Sequence, residues 1–590
     1  MYHMAFGATS QSDGTEFRLY APKAQHVALR LDGHDRAMTR DGEWFRLRVA
    51  EAEPGMLYRY VIDGGQAVPD PASRFQPQDV NGPSAIIAPN AFDWTDQEWR
   101  GRPWHEAVLY ELHLGSFTRE GSYRAATGEL ERLRDLGITA IELMPLADFA
   151  GTRNWGYDGV LPFAPDSSYG RPDELKALIC AAHRLGIMVF VDVVYNHFGP
   201  EGNYLSLYAP NFFAPRETDW GQSLDFSSIA RRFFIENALY WLVEYHVDGL
   251  RFDAVHAIHD ESKTHFLEEL AQAARRACGD RHIHLVLEND KNEAHLLERE
   301  GSGKPRDYDA QWNDDFHHAM HVVLTGEADG YFSDYATSPV DSLGRTLAQG
   351  FAYQGEHSPF REAPRGEPSA HLPPLSFVNF LQNHDQIGNR AFGERLISLV
   401  PREALTAATA IQLLAPSPPL LFMGEEVGAT MPFLFFCDFT GDLANAVREG
   451  RRREFARFPA FASPDARAHI PDPLAPETFQ RSNIAPAVEQ PDREIAVLYR
   501  RLLELRRREI VPRLIGTHPG AARYRNENRS LTVEWDLADG SRLLLIANLA
   551  ATQAEPLVKP LGQLIWGIAP QNGPLAPWTA LWSIETQAKR

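Results

Sequence analysis

The sequence predicts an α/β protein, a (β/α)8 TIM barrel carrying an N-terminal β-sandwich and a small C-terminal β domain. Three observations predict it. Eight short apolar runs alternate with helical stretches between residues 108 and 423, the pattern of parallel βα units. Residues 15–62 instead alternate apolar and polar side chains between turn dipeptides, and that alternation returns beyond residue 512. A chain of 590 residues has room for about three to five domains, or fewer where one is a large barrel.

In the first segment Phe17 and Leu19, then Val27, Leu29 and Leu31, then residues 44–49 and 57–62, read as strands. Asp13-Gly14, Asp32-Gly33, Asp41-Gly42 and Asp63-Gly64 stand between them as hairpin turns. The Pro-rich stretch 68–89 reads as a linker, and the sandwich is placed at residues 1–95. The eight barrel runs are 108–112, 140–144, 187–193, 249–252, 283–287, 308–312, 377–381 and 420–423. Helices are expected at 128–136, 172–185, 229–245, 261–277, 315–324 and 402–413, with long insertions at 198–227 and 356–374. The barrel with its insertions spans residues 96–511. An Arg-rich helix at 494–508 precedes the last domain, 512–590, where strands 530–535 and 542–549 flank Asp539-Gly540. No internal repeat or low-complexity tract interrupts this plan.

The formal charge is −21, from 58 Lys+Arg against 79 Asp+Glu, which argues against a nucleic-acid or anionic-membrane surface. Cys180, Cys278 and Cys437 are odd in number and lack C-x-x-C spacing, so they read as buried thiols of a reducing compartment. The first residues have no signal-peptide pattern and no run approaches the ~18 apolar residues of a membrane span. A cytoplasmic, soluble protein is expected; its oligomeric state is not legible.

In a barrel of this kind, residues just past the C-terminal ends of the strands face the active site. Here that rule selects Asp192-Val193-Val194-Tyr195-Asn196-His197 after the third run and Arg251-Phe252-Asp253-Ala254-Val255-His256 at the fourth. Glu288-Asn289-Asp290, Asn313-Asp314-Asp315 and Asn383-His384-Asp385-Gln386 follow at the fifth, sixth and seventh. Any one of these carboxylates could cap the helix that follows. Asp253, Glu288 and Asp385 aimed at one mouth are harder to explain as caps, because converging like charges cost stability. Paired carboxylates are the apparatus of glycoside hydrolysis, one protonating the leaving oxygen and the other attacking the anomeric carbon or activating water. Arg251, two residues before Asp253 on the same strand face, can hold that carboxylate ionised.

Four segments in order, 192–197 (DVVYNH), 249–255 (GLRFDAV), 287–292 (LENDKN) and 383–385 (NHD), resemble the conserved regions of the α-amylase superfamily of glycoside hydrolases. With the flanking β domains the resemblance covers essentially the whole chain. It implies a retaining mechanism with Asp253 as nucleophile and Glu288 as general acid and then base. Asp385 would be the third carboxylate, holding hydroxyls of the distorted sugar. His197 and His384 match histidines that bond that sugar, and Tyr157 matches its stacking aromatic. Retention implies Asp253 and Glu288 carboxyls about 5 to 5.5 Å apart.

Within the superfamily, Tyr110-Glu111-Leu112-His113, 196–204 (NHFGPEGNY), 311–318 (QWNDDFHH) and Gly424-Glu425-Glu426 most resemble the maltooligosyltrehalose trehalohydrolase family. That resemblance implies cleavage of the α-1,4 bond next to the terminal trehalose of maltooligosyl trehalose, an oligosaccharide substrate, with no cofactor and no metal requirement. Ser116 departs from the Thr expected there. Branching enzymes, which share the sandwich and barrel, usually carry Pro-Ala-His-Phe-Pro where this chain has Tyr-Asn-His-Phe-Gly. A glycogen-branching or debranching enzyme is the nearest alternative, and a noncatalytic glucan-binding protein a remoter one, since that would lose a carboxylate. The resemblance further implies a groove lined by Arg251, Phe252, Ala254, Val255, His256, Asn313, Asp314, Asp315, Phe316, His317, His384, Gln386, Ile387, Gly388 and Asn389. Trp312, Phe316 and Trp155 could offer faces to pyranose rings or pack in the core.

His317 and His321 have a zinc-like i, i+4 spacing, but no Cys or Glu-x-x-His completes a site. Asn196 matches a calcium-ligand position of many α-amylases. The segment 301–305 (GSGKP) lacks Walker spacing, no Gly-x-Ser-x-Gly occurs, and the basic run 448–453 reads as a solvated helix face.

Overall fold

A computed structural model describes residues 4–88, 91–218, 221–456, 458–516, 520–570 and 573–586; the last position of the Pro-rich stretch, Pro89, lies outside them. Two antiparallel sheets form the N-terminal sandwich. One contains Thr9–Gln11, Gly14–Tyr20, Trp44–Val49 and Thr39–Asp41; the other contains His34–Ala37, Val27–Leu31, Leu57–Ile62 and Ala67–Val68. The Asp32-Gly33 and Asp63-Gly64 turns have positive φ at both residues (49° and 76°; 50° and 71°), which is why Asp-Gly serves there. The Pro-rich stretch is not a free linker. Ser84–Ala85 pairs with Leu57–Ile62, and buried Asp70 accepts from Tyr58 OH at 2.7 Å, so the segment is fastened to the sheet edge by polar groups that a hydropathy pattern does not show.

Eight parallel strands close the barrel: β1 Leu109–Leu112, β2 Ala140–Leu143, β3 Met188–Val193, β4 Gly249–Phe252, β5 His284–Leu287, β6 Ala310–Trp312, β7 Phe377–Phe380 and β8 Pro419–Phe422. Each coincides with a run expected from the sequence. The strands read as nearly continuous apolar runs because both faces are covered, by helices outside and by side chains within. Leu109, Met188, Phe190, Ala310, Val378 and Leu420 share one buried apolar cluster that plugs the barrel. Gly249 opens β4 because a Cβ there would lie 2.2 Å from the Phe190 ring. Among the strand residues, Glu111, Glu142, Asp192, Arg251, His284, Gln311 and Asn379 are polar and buried.

The helix expected at 261–277 starts later, at Phe266–Cys278. The Asp260 carboxylate accepts from the backbone N–H groups of Ser262 and Phe266, which holds the intervening residues in a loop. The helix expected at 229–245 is α-helical over Ile229–Leu239 and widens to a π turn over Tyr240–Glu244. At the C-terminus five antiparallel strands run in the order Ala522–Glu527, Ser530–Asp536, Arg542–Asn548, Thr579–Glu585 and Gln563–Trp566. Trp535 donates its indole N–H to Leu347 O at 3.2 Å, tying this sheet to the barrel. No helix among the described residues is long and apolar enough to cross a membrane.

Candidate active site

The barrel mouth is organised around one guanidinium. Arg251 is fully buried, its guanidinium stacked 4.2 Å above the Trp312 ring. From there Nη1 reaches Asp192 Oδ2 at 2.7 Å and Asp253 Oδ1 at 2.8 Å, while Nη2 lies 3.9 Å from Glu288 Oε2. Asp253 and Glu288 therefore flank the same cation. Burial pushes the Asp192 carboxyl up to about 6, against the pull of Arg251. Tyr157 OH donates to the same Asp192 oxygen at 2.6 Å.

Glu288 and Asp385 are driven in opposite directions. Burial, helped by the negative charges of Asp253, Asp314 and Asp385, raises the Glu288 carboxyl well above the usual range despite Arg251. It is the kind of environment that keeps a carboxylic acid protonated at neutral pH. Ala254, held in the left-handed region at φ 42°, points its backbone N–H at Glu288 Oε2, 2.6 Å away. Such a conformation is unfavourable for a residue with a Cβ and persists only where the surroundings hold it. At Asp385 burial is outweighed by His384, so that carboxyl sits below its ordinary value. His384 lies with Nε2 3.4 Å from Asp385, while its Nδ1–H and backbone N–H both donate to buried Glu111. Burial would discharge this imidazole, but Asp385 and Glu111 raise its pKa well above the usual histidine value.

The sequence-selected residues divide into three groups. Tyr157, His197, Arg251, Asp253, Glu288, His384 and Asp385 form the inner mouth. His197 Nε2 is 3.1 Å from Tyr157 O, and its Nδ1 faces the Asn196 side-chain oxygen at 2.9 Å. Further out, Gln386 donates to Asp314 at 3.2 Å and Asn389 to Asp385 at 3.3 Å. Asp314 is raised to about 7 by burial and by Asp290 and Asp385, and His256 accepts from Asp290 N–H.

Phe252, Val255, Phe316, Ile387 and Gly388 are buried, and Gly388 exists for packing, since a Cβ would sit 2.1 Å from the Trp155 ring. The Asn313 amide is spent on Gly350 O and Asn379, and His317 Nδ1 donates to Leu381 O at 2.6 Å. Asp315 accepts from Arg365, Tyr335, Asn292 and two backbone N–H groups, so it anchors the 352–365 loop instead of presenting an oxygen to the groove. Trp312 and Trp155 are likewise buried, under Arg251 and against Phe433. In the structure these side chains are engaged with partners inside the protein, and for Trp312 and Trp155 the packing is that of the core.

Three family profiles match: carbohydrate-binding module 48 (isoamylase N-terminal domain) over residues 5–76, the alpha amylase catalytic domain over 86–220, and a domain of unknown function over 519–582. The chain is 44% identical to a malto-oligosyltrehalose trehalohydrolase of Deinococcus radiodurans, over 84% of this chain and 82% of that protein. The chain belongs to the malto-oligosyltrehalose trehalohydrolase family. The member from Saccharolobus solfataricus is 40% identical over 85% of this chain and 87% of its own length. A crystal structure of a Salmonella typhimurium protein provisionally assigned as an alpha amylase superposes with a TM-score of 0.96 at 45% identity, covering 99% of this chain and 100% of that one.

Three acidic residues of the mouth have no role that the sequence assigns them. Asp192 stands in the DVVYNH motif, Glu111 in the Tyr110-Glu111-Leu112-His113 motif, and Glu142 within a strand run. The signal available is a charged residue in an otherwise apolar barrel strand. Glu142 is fully buried near Glu111 and Asp192, and burial, helped by those two charges, raises its carboxyl well above the usual range.

Proposed function

We propose that the protein is a retaining α-glycoside hydrolase that cleaves the α-1,4 bond next to the terminal trehalose of maltooligosyl trehalose, in trehalose biosynthesis. The observation that carries this reading is the single buried guanidinium of Arg251 between Asp253 and a Glu288 whose carboxyl is driven up. That arrangement suits one carboxylate as nucleophile and its neighbour as acid. Glu288 gives its proton to the glycosidic oxygen while an Asp253 oxygen attacks the anomeric carbon. The C–O bond breaks, trehalose leaves with the proton, and the maltooligosyl residue is held as an Asp253 ester. Glu288, now ionised, takes a proton from water, whose oxygen attacks the anomeric carbon and releases the maltooligosaccharide and the Asp253 carboxylate.

Asp385, His384 and His197 grip hydroxyls of the sugar at the cleavage point, and Tyr157, stacked on the His384 ring, offers it an aromatic face. The chemistry needs no cofactor. The residues 1–95 unit is a carbohydrate-binding-module-like sandwich, 96–511 the catalytic barrel and 512–590 the closing β domain; the location is cytoplasmic. The test is chromatography of products from maltotriosyl trehalose and, separately, from maltopentaose. Free trehalose from the first with little cleavage of the second is expected. Rapid cleavage of both, or α-1,6 branches without trehalose, would move the activity to an amylase or branching enzyme. Asp253→Asn and Glu288→Gln should each lower turnover by orders of magnitude in a folded protein, because each removes a group that acts in the transition state.

A further inference from the structure

The sandwich and the barrel meet around a cavity of about 270 Å³ whose wall is Met4, Ala5, Arg18, Trp44, Arg46 and Arg232. Three of these residues are arginines and none is a carboxylate, in a chain whose formal charge is −21. The register of the sheet places two of them. Arg18, on strand Gly14–Tyr20, lies directly opposite Arg46, on strand Trp44–Val49, and their sequence neighbours Phe17, Leu19 and Phe45 are buried. By the period of two, both guanidinia stand on the outer face of the sheet. Like charges directly opposite each other destabilise an antiparallel pair, yet Arg232 of the barrel helix Ile229–Leu239 adds a third to the same cavity.

Each guanidinium has an acidic neighbour outside the cavity wall and spends only part of its capacity on it. Arg18 Nη2 donates to Glu16, Arg46 Nε lies 3.3 Å from Asp41, and Arg232 Nε donates to Glu236 at 2.9 Å. A guanidinium carries five N–H donors. Among the described residues the Nη groups of Arg46 and Arg232 make no hydrogen bond, and the buried Arg18 Nε has no partner either. Such a wall calls for a compact anion with several acceptor oxygens. A phosphate monoester meets that need, because its oxygens accept from guanidinium forks in pairs.

The remaining wall is apolar and aromatic. Trp44 is half-buried, set at an angle to Phe6 and Tyr20 with ring centres 5.1 and 5.2 Å away. With Met4 and Ala5 it offers a surface suited to the C–H face of a sugar ring. The volume is just under the range of drug-sized sites, about 300–1,000 Å³, and suits one ring bearing one phosphate. We propose that this cavity binds a phosphorylated monosaccharide, with its phosphate among Arg18, Arg46 and Arg232 and its ring against Trp44, so that the ligand bridges the sandwich and the barrel.

The test is isothermal titration of the full chain with glucose 6-phosphate, inorganic phosphate and glucose, each separately. Arg46→Gln and Arg232→Gln each remove a cavity guanidinium at the cost of a surface ion pair, which contributes little to folding. Arg48→Gln, two residues along the same strand face and outside the cavity, is the control. Glucose 6-phosphate should bind at least tenfold more tightly than inorganic phosphate or glucose and should raise the melting temperature. Its affinity should fall at least tenfold in Arg46→Gln and in Arg232→Gln and stay within twofold in Arg48→Gln. Equal affinity for glucose 6-phosphate and inorganic phosphate would overturn the proposal, as would unchanged affinity in both cavity variants, folded by circular dichroism. An equal loss in Arg48→Gln, or no saturable binding at millimolar concentration, would overturn it as well.

Discussion

Replacing Arg251 by Met should be among the most damaging single changes in this protein. Its guanidinium makes ion pairs of 2.7 and 2.8 Å with Asp192 and Asp253 inside a buried layer. At a charge separation of about 4 Å and an effective dielectric constant near 20, each pair is worth about 4 kcal/mol before the desolvation of the ions is subtracted. Removing one member of a buried pair leaves an uncompensated charge and costs about 3–5 kcal/mol. Asp192 fixes the pH dependence. With a carboxyl at about 6 it is mostly ionised at pH 7 in the wild type. Without Arg251 it is driven to protonate, at about 1.4 kcal/mol for that one unit.

The folded variant thus binds more protons than the folded wild type, while the unfolded chains differ in no carboxylate, so the stability gap widens as pH rises. Urea unfolding followed by tryptophan fluorescence should give a loss of about 3–5 kcal/mol at pH 7. At pH 5, where Asp192 is protonated in both proteins, the loss should be smaller by about 1.4 kcal/mol. A loss under about 1 kcal/mol at pH 7, or a larger one at pH 5 than at pH 7, would refute the ion-pair account.

Glu111→Gln removes the charge that holds His384. A hydrogen bond to a charged group is worth about 1.5–3 kcal/mol, so turnover should fall about ten- to hundredfold with KM little changed, and recover in part below pH 6 as the imidazole is protonated by solvent; a loss independent of pH would indicate a purely structural role. Asp314→Asn removes one of the negative charges that raise Glu288. The acid then ionises at lower pH, so the alkaline limb of the kcat/KM profile should move down by about half to one unit; a limb that stays put or moves up would contradict the assignment of Glu288 as the acid. Gly388→Ala forces a Cβ into the Trp155 ring and should cost about 1–3 kcal/mol, read as a lower melting temperature, with Trp155→Phe in the same chain restoring part of it.

The barrel and its three strand-end carboxylates were legible in the chain before any packing was known. Parallel strands buried on both faces are written as short, nearly unbroken apolar runs, which gave all eight strand positions. A carboxylate at the end of such a run, as in Arg251-Phe252-Asp253, is not there to fill the core, so it stands out. The paired turns of the sandwich were legible because Asp-Gly is one of few dipeptides that accept positive φ twice.

Which strand-end residues face the cavity was set by tertiary packing. Asn313, Asp314 and Asp315 are consecutive, yet Asp314 borders the mouth while its neighbours are consumed by Asn379 and Arg365, partners 66 and 50 residues away. Side-chain direction past the last paired residue follows from the turn, and that turn is set by long-range packing rather than by the period-two rule that holds within a strand. The same limit hid Glu111, whose role exists only because β1 and β7 bring it beneath His384, 273 residues later. The ionisation states followed too from structure alone: Glu288 and Asp385 are both carboxylates at strand ends, and burial beside Asp253 or beside His384 is what drives them apart.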